Sequence, residues 1–258
     1  MKNCHTKYPV LFVHGINCND DVLFTWGRNL NELKKRGCKV YTGQTDAWGT
    51  IENNALQLKR KVEFILNETG CQKVNIIAHS KGGLDSRYMI SVLGMDKYIV
   101  SLTTISTPHH GSKTADVWSK RKRLVKTAGF FCDRLWKIFG DNDPQFQNVI
   151  NSLSPKNVKI FNDKCKNSPN VYYQSWGAVL GSSKEDIFMG ILRLFCLRYD
   201  SETDGLVSPE SAKWGVYRGT INCISHQDIV DKRKIKIKNF DSVLFIINIV
   251  QDLRKKGY

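Results

Sequence analysis

The sequence predicts an α/β domain, a mostly parallel central sheet with helices on both faces and one helical insertion. Short β-branched or apolar runs alternate with longer segments of helical period along the 258 residues, the pattern of strands joined by crossover helices. That alternation stops between Thr107 and Asn170, where about sixty residues read as helices and loops, far beyond an ordinary connection. Hydrophobic residues at 41% and charged residues at 24% match folded soluble domains, which excludes disordered and fibrous classes. One domain over residues 1–258 is expected, with its insertion at about 112–168.

Taken in order, residues 9–14, 39–42, 74–78, 100–106, 171–176 and 220–225 read as strands. Residues 53–66 place Ala55, Leu56, Leu58, Val62, Ile65 and Leu66 at near-helical spacing, residues 84–93 read as a helix, and residues 239–254 form a similar closing helix. Within the insertion, residues 117–140 carry Lys120, Arg121, Lys122, Arg123, Lys126, Arg134 and Lys137 against Asp133 alone. These are interleaved with Trp118, Leu124, Val125, Phe130, Phe131, Leu135, Trp136, Ile138 and Phe139. A basic amphipathic segment of this kind lies on membrane surfaces; the plainer alternative is a helix packed on the core with a solvated charged face.

A net charge of +15 must either repel itself in solution or meet an anionic partner, and nucleic acid, an acidic membrane surface and an anionic substrate are the candidates. There is no helix-turn-helix pattern, aromatic RNA-binding signature or zinc-finger spacing, so nucleic acid is not expected and an anionic lipid surface is. The eight cysteines form no C-x-x-C pair, and a reduced state is expected, with Cys38, Cys71 and Cys223 in or beside core elements. The longest apolar run, residues 243–250, is broken by Asn248 and is far below the ~20 residues a spanning helix needs. Residues 1–8 lack the apolar stretch of a secretory signal, so the expectation is an intracellular chain or the mature form of a secreted one.

Chemistry is concentrated in four places. The run Val74-Asn-Ile-Ile-Ala-His leads into Ser80-Lys-Gly-Gly and then a helical segment, the strand, sharp turn and helix of a nucleophile elbow. Ala78 and Gly82, two residues either side of Ser80, are small, as the close approach of strand and helix requires. The first strand ends in His14-Gly15-Ile16, which offers the Ile16 N–H as one oxyanion donor; the Lys81 N–H, directly after the nucleophile, is the second. His14 itself reads as a structural histidine hydrogen-bonded beneath the loop.

On this architecture the acid and histidine follow the serine, and His226 is the only histidine beyond His110. Asp204, followed by the turn glycine Gly205, is the leading acid, with Asp200 and Glu202 as nearby rivals. These roles give a serine hydrolase in which His226 takes the Ser80 proton during attack on an ester carbonyl, and Asp204 fixes the imidazole tautomer.

Six stretches carry a family resemblance: Tyr8-Pro-Val-Leu-Phe-Val-His-Gly-Ile, Val74-Asn-Ile-Ile-Ala-His-Ser-Lys-Gly-Gly-Leu-Asp-Ser-Arg-Tyr, Ile105-Ser-Thr-Pro-His-His-Gly-Ser, Val171-Tyr-Tyr-Gln-Ser-Trp-Gly, Thr203-Asp-Gly-Leu-Val-Ser and Ser225-His-Gln-Asp. In this order the chain resembles the bacterial true lipases of the α/β-hydrolase superfamily, the triacylglycerol lipases of Pseudomonas, Bacillus and clostridial type. Ala78 is similar to the Bacillus branch, while the short cap and strong basicity depart from many secreted members.

The resemblance implies a lidded hydrolase acting on acylglycerols, with Ser80, Asp204 and His226 on matching motifs. No cofactor is expected for the chemistry. Some relatives bind a structural calcium ion near the catalytic histidine, which implies Asp228 and Asp186 as metal ligands here. The basic cap keeps a second expectation open, a phospholipase or lipid acyltransferase at an anionic membrane surface. Outside enzymes, the alternative is a catalytically inactive lipid-surface binding protein.

Overall fold

The structure, a computed structural model, describes residues 3–20, 25–182, 184, 186–196 and 202–258, with only the backbone of residues 195 and 196. Its sheet comprises β1 (Val10–Val13), β2 (Val40–Thr42), β3 (Val74–His79), β4 (Ile99–Ile105), β5 (Tyr172–Val179) and β6 (Val216–Asn222). The strand order is β2-β1-β3-β4-β5-β6 and each neighbouring pair is parallel. Around it lie α1 (Asn29–Lys35), α2 (Ile51–Thr69), α3 (Gly82–Ser91), α4 (Lys113–Ser119), α5 (Lys122–Ile138), α6 (Phe146–Ser152), α7 (Pro155–Lys164), α8 (Ile187–Cys196), α9 (Pro209–Ala212) and α10 (Ser242–Lys255).

The continuous apolar run of β1 follows from burial on both faces. Because strand side chains alternate, Leu11 and Val13 enter one core with Leu58 and Val62 of α2 and Leu84 and Met89 of α3. Val10 and Phe12 enter the other, with Leu33 of α1 and Ile246 and Val250 of α10. The helices are set by local signals. Thr50 caps α2 by accepting the Asn53 N–H at 3.2 Å, and Gly70 ends it in the left-handed region at φ +68°.

The insertion between β4 and β5 forms α4 to α7, and the basic segment becomes α5. The last strand differs from expectation, lying at Val216–Asn222 rather than at 220–225. It is an edge strand whose side chains are mostly partly exposed, so burial does not force a clean apolar run. The chain leaves the sheet at Cys223, φ +59°, and Ile224 and Ser225 turn inward instead. Cys223 is therefore exposed rather than part of a core element, and Cys71 is only partly buried.

From β1 the chain leads to β2 on one side, while β3 lies on the other, so a crevice opens at the carboxyl ends of β1 and β3. Gly15, Ile16 and Ser80 all emerge there.

Candidate active site

Ser80 joins β3 to α3 with φ +54°, a conformation that costs a non-glycine residue roughly 1–3 kcal/mol and persists only where its surroundings impose it. They do so here. The Ser80 N–H donates to the Ile105 carbonyl at 3.0 Å, tying the turn to β4. A Cβ on Gly82 would lie 2.3 Å from the His14 carbonyl oxygen, and one on Gly15 would lie 2.6 Å from Ser80 Cβ. Strand, turn and helix thus meet at distances only glycine allows.

His226 follows the inward turn after β6. Its Nδ1–H donates to Asp204 Oδ2 at 2.8 Å, and its backbone N–H donates to the Asp204 carbonyl at 2.9 Å. With Nδ1 protonated, Nε2 keeps its lone pair. Asp204 is fully buried and held by a turn of its own, its Oδ1 accepting the N–H groups of Leu206 and Val207 at 3.0 and 2.9 Å. Gly205, at φ +112°, makes that turn. Of the rival acids, Glu202 is exposed and Asp200 lies outside the described residues.

Ser80 and His226 line one cavity of about 430 Å³, within the range of small-molecule sites. Its walls are mainly apolar and come from the insertion and α8, among them Trp118, Phe146, Leu153, Phe188, Met189 and Leu192. Ile16 also lines it. The His14 ring donates from Nδ1 to the Gly15 carbonyl at 2.8 Å, and since the two ends of a trans peptide point in opposite directions, this fixes where the Ile16 N–H points. Neither the Ile16 nor the Lys81 N–H donates to a backbone acceptor among the described residues.

The Lys81 side chain turns away and is buried, its Nζ donating to both Asp85 oxygens at 2.8 and 2.9 Å. Asn54 Nδ2 donates to the same carboxylate at 3.0 Å, anchoring α3 to α2. Burial pushes the Asp85 carboxyl up, against the pull of the Lys81 charge.

Asp228 and Asp186 converge on one guanidinium, that of Arg233, and with Arg233 in place they do not fit a calcium ion. Calcium requires six to eight oxygen ligands. Here Asp228 Oδ1 accepts Arg233 Nε–H at 2.7 Å, and Oδ2 accepts from Arg233 Nη2 and from the Ser225 hydroxyl. Asp186 Oδ2 accepts from Gln227 Nε2 at 2.7 Å and lies 3.6 Å from Arg233 Nε. Among the described residues no group of three or more His, Cys, Asp or Glu side chains is arranged to hold a metal.

Two features of the site escape sequence reasoning. His79, directly before Ser80, packs its ring against that of His226, centroids 4.6 Å apart, and its Nε2–H donates to the His226 carbonyl at 2.9 Å. The only signal in the chain is its adjacency to Ser80. Helix α8, which supplies one wall, lies in an apolar run whose period is ambiguous over so short a length.

A family model described as lipase (class 2) matches residues 7–104. Triacylglycerol lipase 2 of Saccharomyces cerevisiae is 32% identical over 246 residues, spanning 88% of this chain and 72% of the yeast protein. A triacylglycerol lipase of Pseudarthrobacter phenanthrenivorans is 38% identical over 117 residues, covering 43% of this chain; the match spans only 36% of that bacterial protein. Among solved structures, the mature lipase of Bacillus licheniformis superposes with a TM-score of 0.65 at 24% identity, over 90% of this chain and 91% of that one. At that identity the superposition establishes a shared α/β-hydrolase fold.

Proposed function

Because the chain belongs to the triacylglycerol lipase family of α/β-hydrolases, we propose that it is a carboxylic ester hydrolase that cleaves acylglycerols through an acyl-enzyme on Ser80. One observation carries the mechanism: the 2.8 Å pair of Asp204 and His226 opens on the same cavity as Ser80 at its strained turn. His226 Nε2 takes the Ser80 hydroxyl proton as Oγ bonds to the ester carbonyl carbon. The carbonyl oxygen becomes an oxyanion between the N–H groups of Ile16 and Lys81. The imidazolium then protonates the leaving alcohol as its C–O bond breaks. In the second half His226 takes a proton from water, which attacks the acyl carbon; the carboxylic acid departs and Ser80 regains its proton. Asp204 holds Nδ1–H and stabilises the imidazolium throughout.

The apolar cavity suits an acyl chain, and the surface around it suits a lipid interface. In α5, Leu124, Phe130, Phe131, Leu135 and Ile138 are exposed beside Arg121, Lys122, Arg123 and Lys126. In α8, Ile187 is 73% and Phe188 61% exposed. Apolar surface of this extent on a soluble chain marks an interaction site. In this reading α4 to α7 cap the cavity and α5 and α8 rest on anionic lipid.

The same basic face supports a second reading, a phospholipase or lipid acyltransferase. Initial rates on graded p-nitrophenyl esters, emulsified tributyrin and triolein, and phosphatidylglycerol vesicles separate the two. Turnover of acylglycerols ahead of phospholipid is expected. Phospholipid cleavage with no turnover of tributyrin or triolein assigns the second reading, and no turnover of any ester leaves a lipid-binding protein.

A further inference from the structure

We infer that Arg233 occupies the place of a bound cation beside His226, as a positioning residue that lets this chain hold its catalytic loop without a divalent metal. The inference rests on the Ser80, His226 and Asp204 reading above.

Asp228 and Asp186 are 4% and 2% exposed, and they come from segments far apart in the chain. Two buried carboxylates close together repel unless a positive charge lies with them. The Arg233 guanidinium does: it forks onto Asp228 through Nε and Nη2 and stands 3.6 Å from Asp186. A planar guanidinium suits this role because its donors match carboxylate geometry and its charge is permanent.

What this charge organises is the stretch around His226. Ser225, one residue before the histidine, donates to Asp228, and Gln227, one residue after it, donates to Asp186. Both neighbours of His226 are thereby anchored to the carboxylates that Arg233 draws together. Beyond the histidine a second arginine fixes the same loop: Arg28 donates to Asp231 from its backbone N–H, Nε and Nη2 at 2.7, 2.9 and 2.5 Å. The Ser242 hydroxyl of α10 closes the arrangement by donating to the Asp228 carbonyl at 2.7 Å. The loop is held at several points by the chain's own side chains, where a metal would otherwise serve.

The test compares wild type with Arg233→Ala and Arg233→Lys, using full-length protein. It measures melting temperature and the kcat and KM for a soluble p-nitrophenyl ester, in EDTA and in millimolar calcium chloride. Wild type is expected to show the same melting temperature and kcat in both solutions. Arg233→Ala frees the carboxylate pair. Its kcat in EDTA is expected to fall about 10- to 100-fold with KM within about twofold. Calcium is then expected to raise its melting temperature by about 2–4 °C or more and to recover kcat over the same concentrations. Arg233→Lys, which keeps the charge and loses the fork, falls between. If Arg233→Ala does not fold in EDTA, purification in calcium yielding folded protein supports the inference, and failure in both overturns it. Wild type losing stability or kcat in EDTA overturns it, as does Arg233→Ala with undiminished kcat or with no response to calcium. Failure of the underlying reading is separate: it would appear as wild-type activity that survives Ser80→Ala.

Discussion

The rings of His79 and His226 lie 4.6 Å apart, and the His79 Nε2–H donates to the carbonyl of His226 at 2.9 Å. The residue beside Ser80 thus supports His226 from 147 positions away in the chain. Burial first, and the facing His226 second, hold the His79 imidazole well below its usual range, so it acts as a neutral donor. His79→Ala is expected to lower kcat about tenfold, the equivalent of about 1.4 kcal/mol for one lost hydrogen bond. His79→Gln, which keeps a donor, retains more of the rate. Equal losses for Ala and Gln in steady-state assays would show that the bond does not matter.

Stability should fall in mild acid. His109 is buried, paired with Thr104 Oγ1 at 2.9 Å, and held well below its usual range by burial and then by the charge of Arg87. A histidine whose folded pKa is depressed binds fewer protons folded than unfolded, so its contribution is complete above about pH 6.5 and is lost as pH falls below it. The slope is at most about 1.4 kcal/mol per pH unit for each such histidine. Urea unfolding at pH 7, 6 and 5 should therefore show a shallower decline in His109→Gln than in wild type. Parallel declines would contradict this.

Asp204→Asn should fold and yet turn over about 10⁴-fold more slowly, because the amide can still accept from Leu206 and Val207 but no longer holds the imidazole tautomer. The decisive comparison is a near-wild-type melting curve beside the collapsed kcat. A variant of undiminished rate would assign the acid elsewhere.

Gly82→Ala would force a Cβ to within 2.3 Å of the His14 carbonyl oxygen, a backbone atom that cannot swing aside. A cost of about 1–3 kcal/mol is expected, at about 2–4 °C of melting temperature for each kcal/mol, together with slowed labelling of Ser80 by a fluorophosphonate. Unchanged labelling would mean that the turn tolerates a wider approach.

Replacing Arg121, Lys122, Arg123 and Lys126 with Gln should weaken binding to anionic vesicles by about 100-fold or more, at about 1 kcal/mol per charge near the surface. Sedimentation with phosphatidylglycerol vesicles measures it; equal binding would leave α5 a solvated face.

Local signals made most of the core legible. β1 is buried on both faces and reads as an unbroken apolar run, β3 as one interrupted by Asn75, and the turn at Ser80 is announced by the small residues that its geometry needs. The turn at Asp204 is legible because its glycine follows it directly. The site residues that stayed hidden are those whose partners are remote in sequence. Arg233 gains its meaning only from carboxylates at 186 and 228, and His79 only from a ring it meets after folding. β6 lies earlier than its apolar residues suggest because an edge strand is not compelled to be apolar.

The central claim is that Ser80 is the acyl-carrying nucleophile. Titration with diethyl p-nitrophenyl phosphate, followed by peptide mass spectrometry and residual esterase assay, tests it most directly. One phosphoryl group on the Ser80 peptide, with activity falling in proportion to its occupancy, is the predicted result. Full esterase activity in protein phosphorylated at Ser80, or inactivation by modification of another residue, would contradict it.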